Sequence, residues 1–114
     1  MSSNLRTLAL GTFGIALAIG AVPLRADEMP LFKIEMRDGT INPARIEVPA
    51  NVPFKLEITN SGTSPVEFES NELKREKVLA GGSTSSIVFR RLEPGEYPFF
   101  DDFHPEAKAT LVAK

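Results

Sequence analysis

Phe54-Lys55-Leu56-Glu57-Ile58-Thr59-Asn60 alternates apolar and polar residues without a break. A period of two puts Phe54, Leu56 and Ile58 on one face and the polar residues on the other, which is the pattern of a half-buried strand. Working outward, the same alternation appears in Phe32, Ile34 and Met36, in Arg45-Ile46-Glu47-Val48, and in Val66-Glu67-Phe68-Glu69. Thr84 to Arg91, with Ile87 and Phe89 on one face, Tyr97 to Phe100, and Ala109 to Val112 complete seven short strands. Turn chemistry separates them: Asp38-Gly39, Pro49-Ala50-Asn51, Asn60 to Pro65, Gly81-Gly82 and Glu93-Pro94-Gly95. Asn71 to Lys77 is a charged run expected to form one helical turn or a loop. Short strands at this spacing, with no long helical pattern, predict an all-β sandwich.

The chain has 114 residues, one His and no Cys. Arg6 followed by the apolar run Leu8 to Val22 and by Leu24-Arg25-Ala26 has the layout of a secretory signal. The run is shorter than the roughly 20 residues a membrane span needs. A signal peptide at 1–26 and one domain at 27–114 are therefore expected, with no membrane insertion after cleavage. Removing residues 1–26 leaves 88 residues. It also removes Arg6 and Arg25 and takes the formal charge from −2 to −4. A mildly acidic domain suits cations as partners and disfavours nucleic acid. The missing Cys excludes disulfides and thiolate chemistry. The Ser residues have neither a second His nor a nucleophile turn, so triad hydrolysis is not expected. Gly81-Gly82-Ser83 lacks the spacing and the Lys of a phosphate loop.

Tyr97-Pro98-Phe99-Phe100-Asp101-Asp102-Phe103-His104-Pro105 concentrates four aromatics, two carboxylates and the lone His in one expected loop. With Ile41 to Asn51, Phe54 to Asn60 and Leu92-Glu93-Pro94-Gly95-Glu96-Tyr97, it resembles the cupredoxins in the order of its elements. That resemblance implies a cupredoxin-like Greek-key β-sandwich of about seven strands. Tyr97 to His104 is similar to the blue-copper ligand loop Y-x-F-x-C-x-x-H, with Asp101 at the Cys position and His104 at the spacing of the second His. Val66 falls at the first His position and Ala109 near the axial Met. A thiolate-bound blue copper is excluded by the absence of Cys.

Phe68-Glu69-Ser70, Glu72-Leu73, Glu76-Lys77-Val78 and Phe99 to Pro105 resemble a Cys-poor subgroup, the EfeO-type cupredoxin domains and the small cupredoxin component of bacterial ferrous-iron transport systems. That resemblance implies a periplasmic metal-binding protein of ferrous iron uptake. Copper or iron, or both, would be its metals, Fe²⁺ oxidation or transfer to a permease its task, and the components of an iron transporter its partners. A copper chaperone without redox turnover and a metal-free interaction module are the competing expectations.

The candidate metal ligands are His104, Asp101, Met36, Glu69, Glu72 and Asp102. Carboxylates and imidazole suit Fe, Mn, Zn or Cu(II), and Met36 is the soft donor. Each has a plainer alternative. Met36 fills the core, His104 is a surface histidine, and Asp101 caps backbone N–H groups in a turn. Glu67 and Glu69 form a solvated strand face, or at i and i+2 bracket a cation. Glu72 and Glu76 are interrupted by Lys74, Arg75 and Lys77, which favours solvated ion pairs. Asp102 points away from Asp101 if the segment is extended.

Overall fold

The computed structural model describes residues 29–114; the expected signal peptide at 1–26 lies outside the described residues. Nine strands are formed: β1 (Leu31–Arg37), β2 (Thr40–Asn42), β3 (Arg45–Val48), β4 (Phe54–Asn60), β5 (Val66–Ser70), β6 (Arg75–Leu79), β7 (Thr84–Phe89), β8 (Gly95–Asp101) and β9 (His104–Ala113). They make two mixed sheets, ordered β2-β1-β4-β7 and β3-β9-β8-β5-β6. The pairs β1–β4 and β3–β9 are parallel and the others antiparallel. The all-β sandwich expected from the alternation is the architecture found.

β4 carries the alternation furthest. Phe54, Leu56, Ile58 and Asn60 point inward, while Lys55, Glu57 and Thr59 stay half-buried on the outer face. β5 does the same in the facing sheet with Val66, Phe68 and Ser70 inward. The inner faces meet in an aromatic core. Phe54 stacks on Phe89 at 5.1 Å and takes the edge of Phe32 at 5.9 Å, and Phe68 packs on Phe99 at 4.9 Å. Each fully buried Phe contributes about 3–5 kcal/mol against truncation to Ala.

Two strands were not expected. β2 is a three-residue return from the Asp38-Gly39 turn, whose residues take φ of 39° and 85°, the left-handed pair that a two-residue hairpin turn needs. β6 corrects the helical turn or loop expected over Asn71 to Lys77. Only Asn71 to Lys74 form a turn, and Arg75–Leu79 pair with β5 from Ser70↔Arg75 to Val66↔Leu79. β6 sits at a sheet edge and buries Leu79 alone, so its sequence has no alternation to read. Its charged side chains guard an edge rather than form a helix face. Arg75 also reaches across to β7, donating to the Val88 carbonyl at 3.2 Å with its guanidinium 5.3 Å over the Phe89 ring.

Asn60, fully buried, ties the loops at one end. Its amide donates to the Ser64 and Leu79 carbonyls at 2.9 and 3.1 Å, and its side-chain oxygen accepts the Gly62 N–H at 3.0 Å. Gly81 lies so close to this loop that a Cβ there would fall 2.4 Å from the Thr63 carbonyl oxygen.

Candidate metal site

The expected loop from Tyr97 to Pro105 is a tight hairpin. β8 runs to Asp101, Asp102 and Phe103 make the turn, and β9 begins at His104. Between Phe100↔Lys108 and Asp101↔His104 the register shifts, so Pro105 to Ala107 bulge out of the ladder beside the histidine. A bulge next to a polar pair re-aims side chains, and this one sits where the sequence concentrates its polar groups.

Asp101 points inward, opposite Phe68 on β5, and is 1% exposed. Its Oδ1 accepts the Glu67 N–H at 2.9 Å and the Phe103 N–H at 3.0 Å, the latter an Asx turn that closes the hairpin. Its Oδ2 lies 2.9 Å from Nδ1 of His104, whose side chain is 29% exposed. The carboxylate therefore joins three partners from two strands and a turn. It both caps the turn and holds the imidazole.

One residue further on, the chain faces the other way. The Asp102 N–H donates to the Glu67 carbonyl at 2.9 Å, which places Asp102 on the outer face of the sheet beside the outward side chains of β5. Glu69 pairs with Glu76 across β5 and β6. Carboxylate oxygens of Glu67, Glu69 and Glu76 lie within 4.8 Å of one another, and the Asp102 carboxylate is close enough to act on both Glu67 and Glu69. Partial burial on the sheet face pushes the Glu67 carboxyl above the usual glutamate range, and the charges of Asp102, Glu69 and Glu76 add to the effect. Glu69 is raised by the same burial, then by Asp102 and Glu76. None of the ion pairs formed among the described residues involves these four groups. Three converging carboxylates with Asp102 beside them make a hard-ligand set, suited to Mg²⁺, Ca²⁺, Mn²⁺ or Fe²⁺ rather than Cu(I).

The predicted ligands are thus divided. Asp101 and His104 are paired on the inner side, and Glu69 and Asp102 meet on the outer face. Met36 is fully buried in the core, where its thioether packs among aliphatic and aromatic neighbours. Glu72 is exposed in the β5–β6 turn, outside the outer group. Glu67 and Glu76 complete that group. Glu67 was readable, two residues before Glu69 on the same face; Glu76 was not, because the turn at Asn71 to Lys74 and the β5–β6 register alone bring it opposite Glu69.

Beside the quartet, on the outer face, a groove of about 580 Å³ is lined by Ala44, Pro98, Phe100, Pro105, Lys108 and Thr110, with Phe100 opposite Glu69.

A family model described as cupredoxin-like domain matches residues 9–113. A Rickettsia prowazekii (strain Madrid E) protein described as uncharacterized is 36% identical over 80 residues, 70% of this chain. The match spans 64% of that relative's length. Among solved structures, the chain is similar to a purple cupredoxin from Nitrosopumilus maritimus, with TM-score 0.56, 18% identity, 73% of this chain and 99% of that one covered. Reduced auracyanin from Roseiflexus castenholzii superposes with TM-score 0.61 and 12% identity, covering 81% of this chain and 99% of that one. The metal-binding domain of the Streptococcus pneumoniae D39 Cu(I)-exporting P-type ATPase CopA, solved with Cu(I), gives TM-score 0.65 and 16% identity, covering 74% and 84%. At these identities the structural likenesses carry the fold.

Proposed function

The chain belongs to the cupredoxin-like domain family, and from that premise we propose that it is a periplasmic metal-binding protein of ferrous iron uptake, holding Fe²⁺ as cargo for a permease. The observation that carries the proposal is the convergence of Glu67, Glu69 and Glu76 oxygens within 4.8 Å, with the Asp102 carboxylate beside them. A divalent cation offsets the partial burial and then the mutual repulsion that raise Glu67 and Glu69, and oxygen donors suit such a hard ion. Export through the segment 1–26 supplies the periplasmic location. The groove beside the quartet gives a transporter component an apolar surface next to the cargo.

Copper of the thiolate–imidazole kind does not fit these residues. The chain has no Cys and one His. Met36 is sealed in the core, and both oxygens of Asp101 are engaged by three hydrogen-bonding partners. No copper step is therefore assigned.

The test is uptake of radiolabelled Fe²⁺ by cells that depend on this protein. The Glu67→Gln/Glu69→Gln double variant, exported to the wild-type level, is expected to lose ferrous uptake while ferric uptake is unchanged. Wild-type ferrous uptake by the variant overturns the proposal.

A further inference from the structure

The ladder between β5 and β8 registers two pairs, Phe68↔Asp101 and Glu69↔Phe100, before β8 turns away. The next pair along would be Glu67 with Asp102. In a regular antiparallel ladder the residues of a hydrogen-bonded pair exchange both backbone bonds. Here one of the two is made: the Asp102 N–H donates to the Glu67 carbonyl at 2.9 Å. The Glu67 N–H donates instead to the Asp101 side chain, with Oδ1 2.9 Å away. The same oxygen accepts the Phe103 N–H at 3.0 Å. Asp101 thus supplies the acceptor that the turning backbone withdraws, and one buried oxygen joins Glu67 to the hairpin.

This join acts on the other face of the sheet. Glu67 and Asp102 carry like charges, and like charges directly opposite one another across a ladder are destabilising. The Asp102 charge also acts on Glu69. The end of a ladder with two registered pairs is therefore held closed against repulsion, and the bond from Asp101 is what the chain provides there.

We infer that Asp101 is a positioning residue for the outer carboxylates: from the inner face it fixes the main chain of Glu67 against the β8–β9 hairpin, so that the Glu67 and Asp102 carboxylates stay beside Glu69 and Glu76 for a divalent cation. The inference rests on the cation-binding reading and deepens it. Asp101 does not touch the ion; it acts through the backbone of a ligand. Loss of such an outer partner typically costs 10–100-fold in metal affinity. His104 takes no part, because it meets Oδ2 while the clamp uses Oδ1.

Asp101→Asn and Asp101→Ala separate positioning from packing. The Asn amide oxygen can accept both backbone N–H groups, whereas Ala removes the acceptor. Leu56→Ala, a fully buried truncation in the other sheet, lowers stability without touching the hairpin. Titrated calorimetrically with Mn²⁺ alone, Asp101→Ala is expected to bind at least tenfold more weakly than wild type, and Asp101→Asn and Leu56→Ala within about threefold of it. Amide hydrogen exchange at Glu67 is expected to be slow in wild type and Asp101→Asn and faster in Asp101→Ala. Wild-type affinity in Asp101→Ala overturns the inference and leaves the cation-binding reading standing. So does an equal loss in Asp101→Asn or Leu56→Ala, or a wild-type Glu67 amide that exchanges as freely as an exposed one. A wild type that binds no Mn²⁺ overturns the cation-binding reading and the inference with it. Should Asp101→Ala not fold, Asp101→Ser takes its place, with a hydroxyl too short to reach both amides and the same tenfold loss expected.

Discussion

Asp101 and Glu69 stand on neighbouring strands, one register step apart, and differ in almost every respect. Asp101 is paired with Phe68 and faces the interior, where each of its oxygens has a partner. Glu69 is paired with Phe100 and faces outward, where the charges of Asp102 and Glu76 act on it. Strand alternation alone makes this division, since a single step along a strand moves a side chain to the other face. The same residue chemistry thus becomes a structural fastening on one face and a cluster of carboxylates on the other.

Breaking the inner side should produce the largest effect. Asp101→Ala leaves two backbone N–H groups and the imidazole without their partner, a loss of about 3–5 kcal/mol in urea unfolding. A change below about 1 kcal/mol would mean that the carboxylate does not fasten the hairpin. Asn60→Ala, at a second fully satisfied buried group, is expected to cost about 2–3 kcal/mol. Because the two sites share no hydrogen-bond partner, their effects should add within about 0.5 kcal/mol.

The outer side should respond in the opposite sense. Glu67 and Glu69 are raised in the fold, chiefly by partial burial and then by neighbouring carboxylates. The folded state therefore binds protons more readily than the unfolded state. Their contribution to stability is fully present below the usual glutamate value of 4.5 and is lost as pH rises through the raised folded values. Glu67→Gln/Glu69→Gln is expected to stabilise the metal-free protein at pH 7 and to flatten its stability between pH 4 and 7 (about the range in which carboxylates titrate). A destabilised variant would show that the quartet has a counter-charge after all. Glu47 sets the lower bound of the scale. The Lys114 hydrogen bond at 2.8 Å lowers its carboxyl, so any contribution is present above the usual value and fades as pH falls through the lowered one. Glu47→Gln is an exposed change and should leave the unfolding midpoint within experimental scatter.

How much of this was legible varied with burial. β4 and β5 have one buried and one solvated face, so their alternation could be read directly. β6 could not, because an edge strand with Leu79 as its one buried residue leaves no periodic trace. β9 was expected only from Ala109 to Val112, because its inner positions near the hairpin are filled by Ala107 and Pro105 precedes them, a weak apolar signal. Asp101 and His104 were singled out together by the resemblance to the cupredoxin ligand loop. Their roles were not, since the alternation hides which carboxylate oxygens backbone amides will occupy. Glu76 was hidden because its partnership with Glu69 exists only through the β5–β6 register.

The central claim, that the outer carboxylates rather than the Asp101–His104 pair hold the cation, is tested most directly by anaerobic calorimetric titration with Mn²⁺, a redox-stable hard cation of the Fe²⁺ class. Wild-type protein and the His104→Ala variant are expected to bind Mn²⁺ alike, and Glu67→Gln/Glu69→Gln at least tenfold more weakly. Binding that survives the double substitution, or that disappears with His104, would contradict the account.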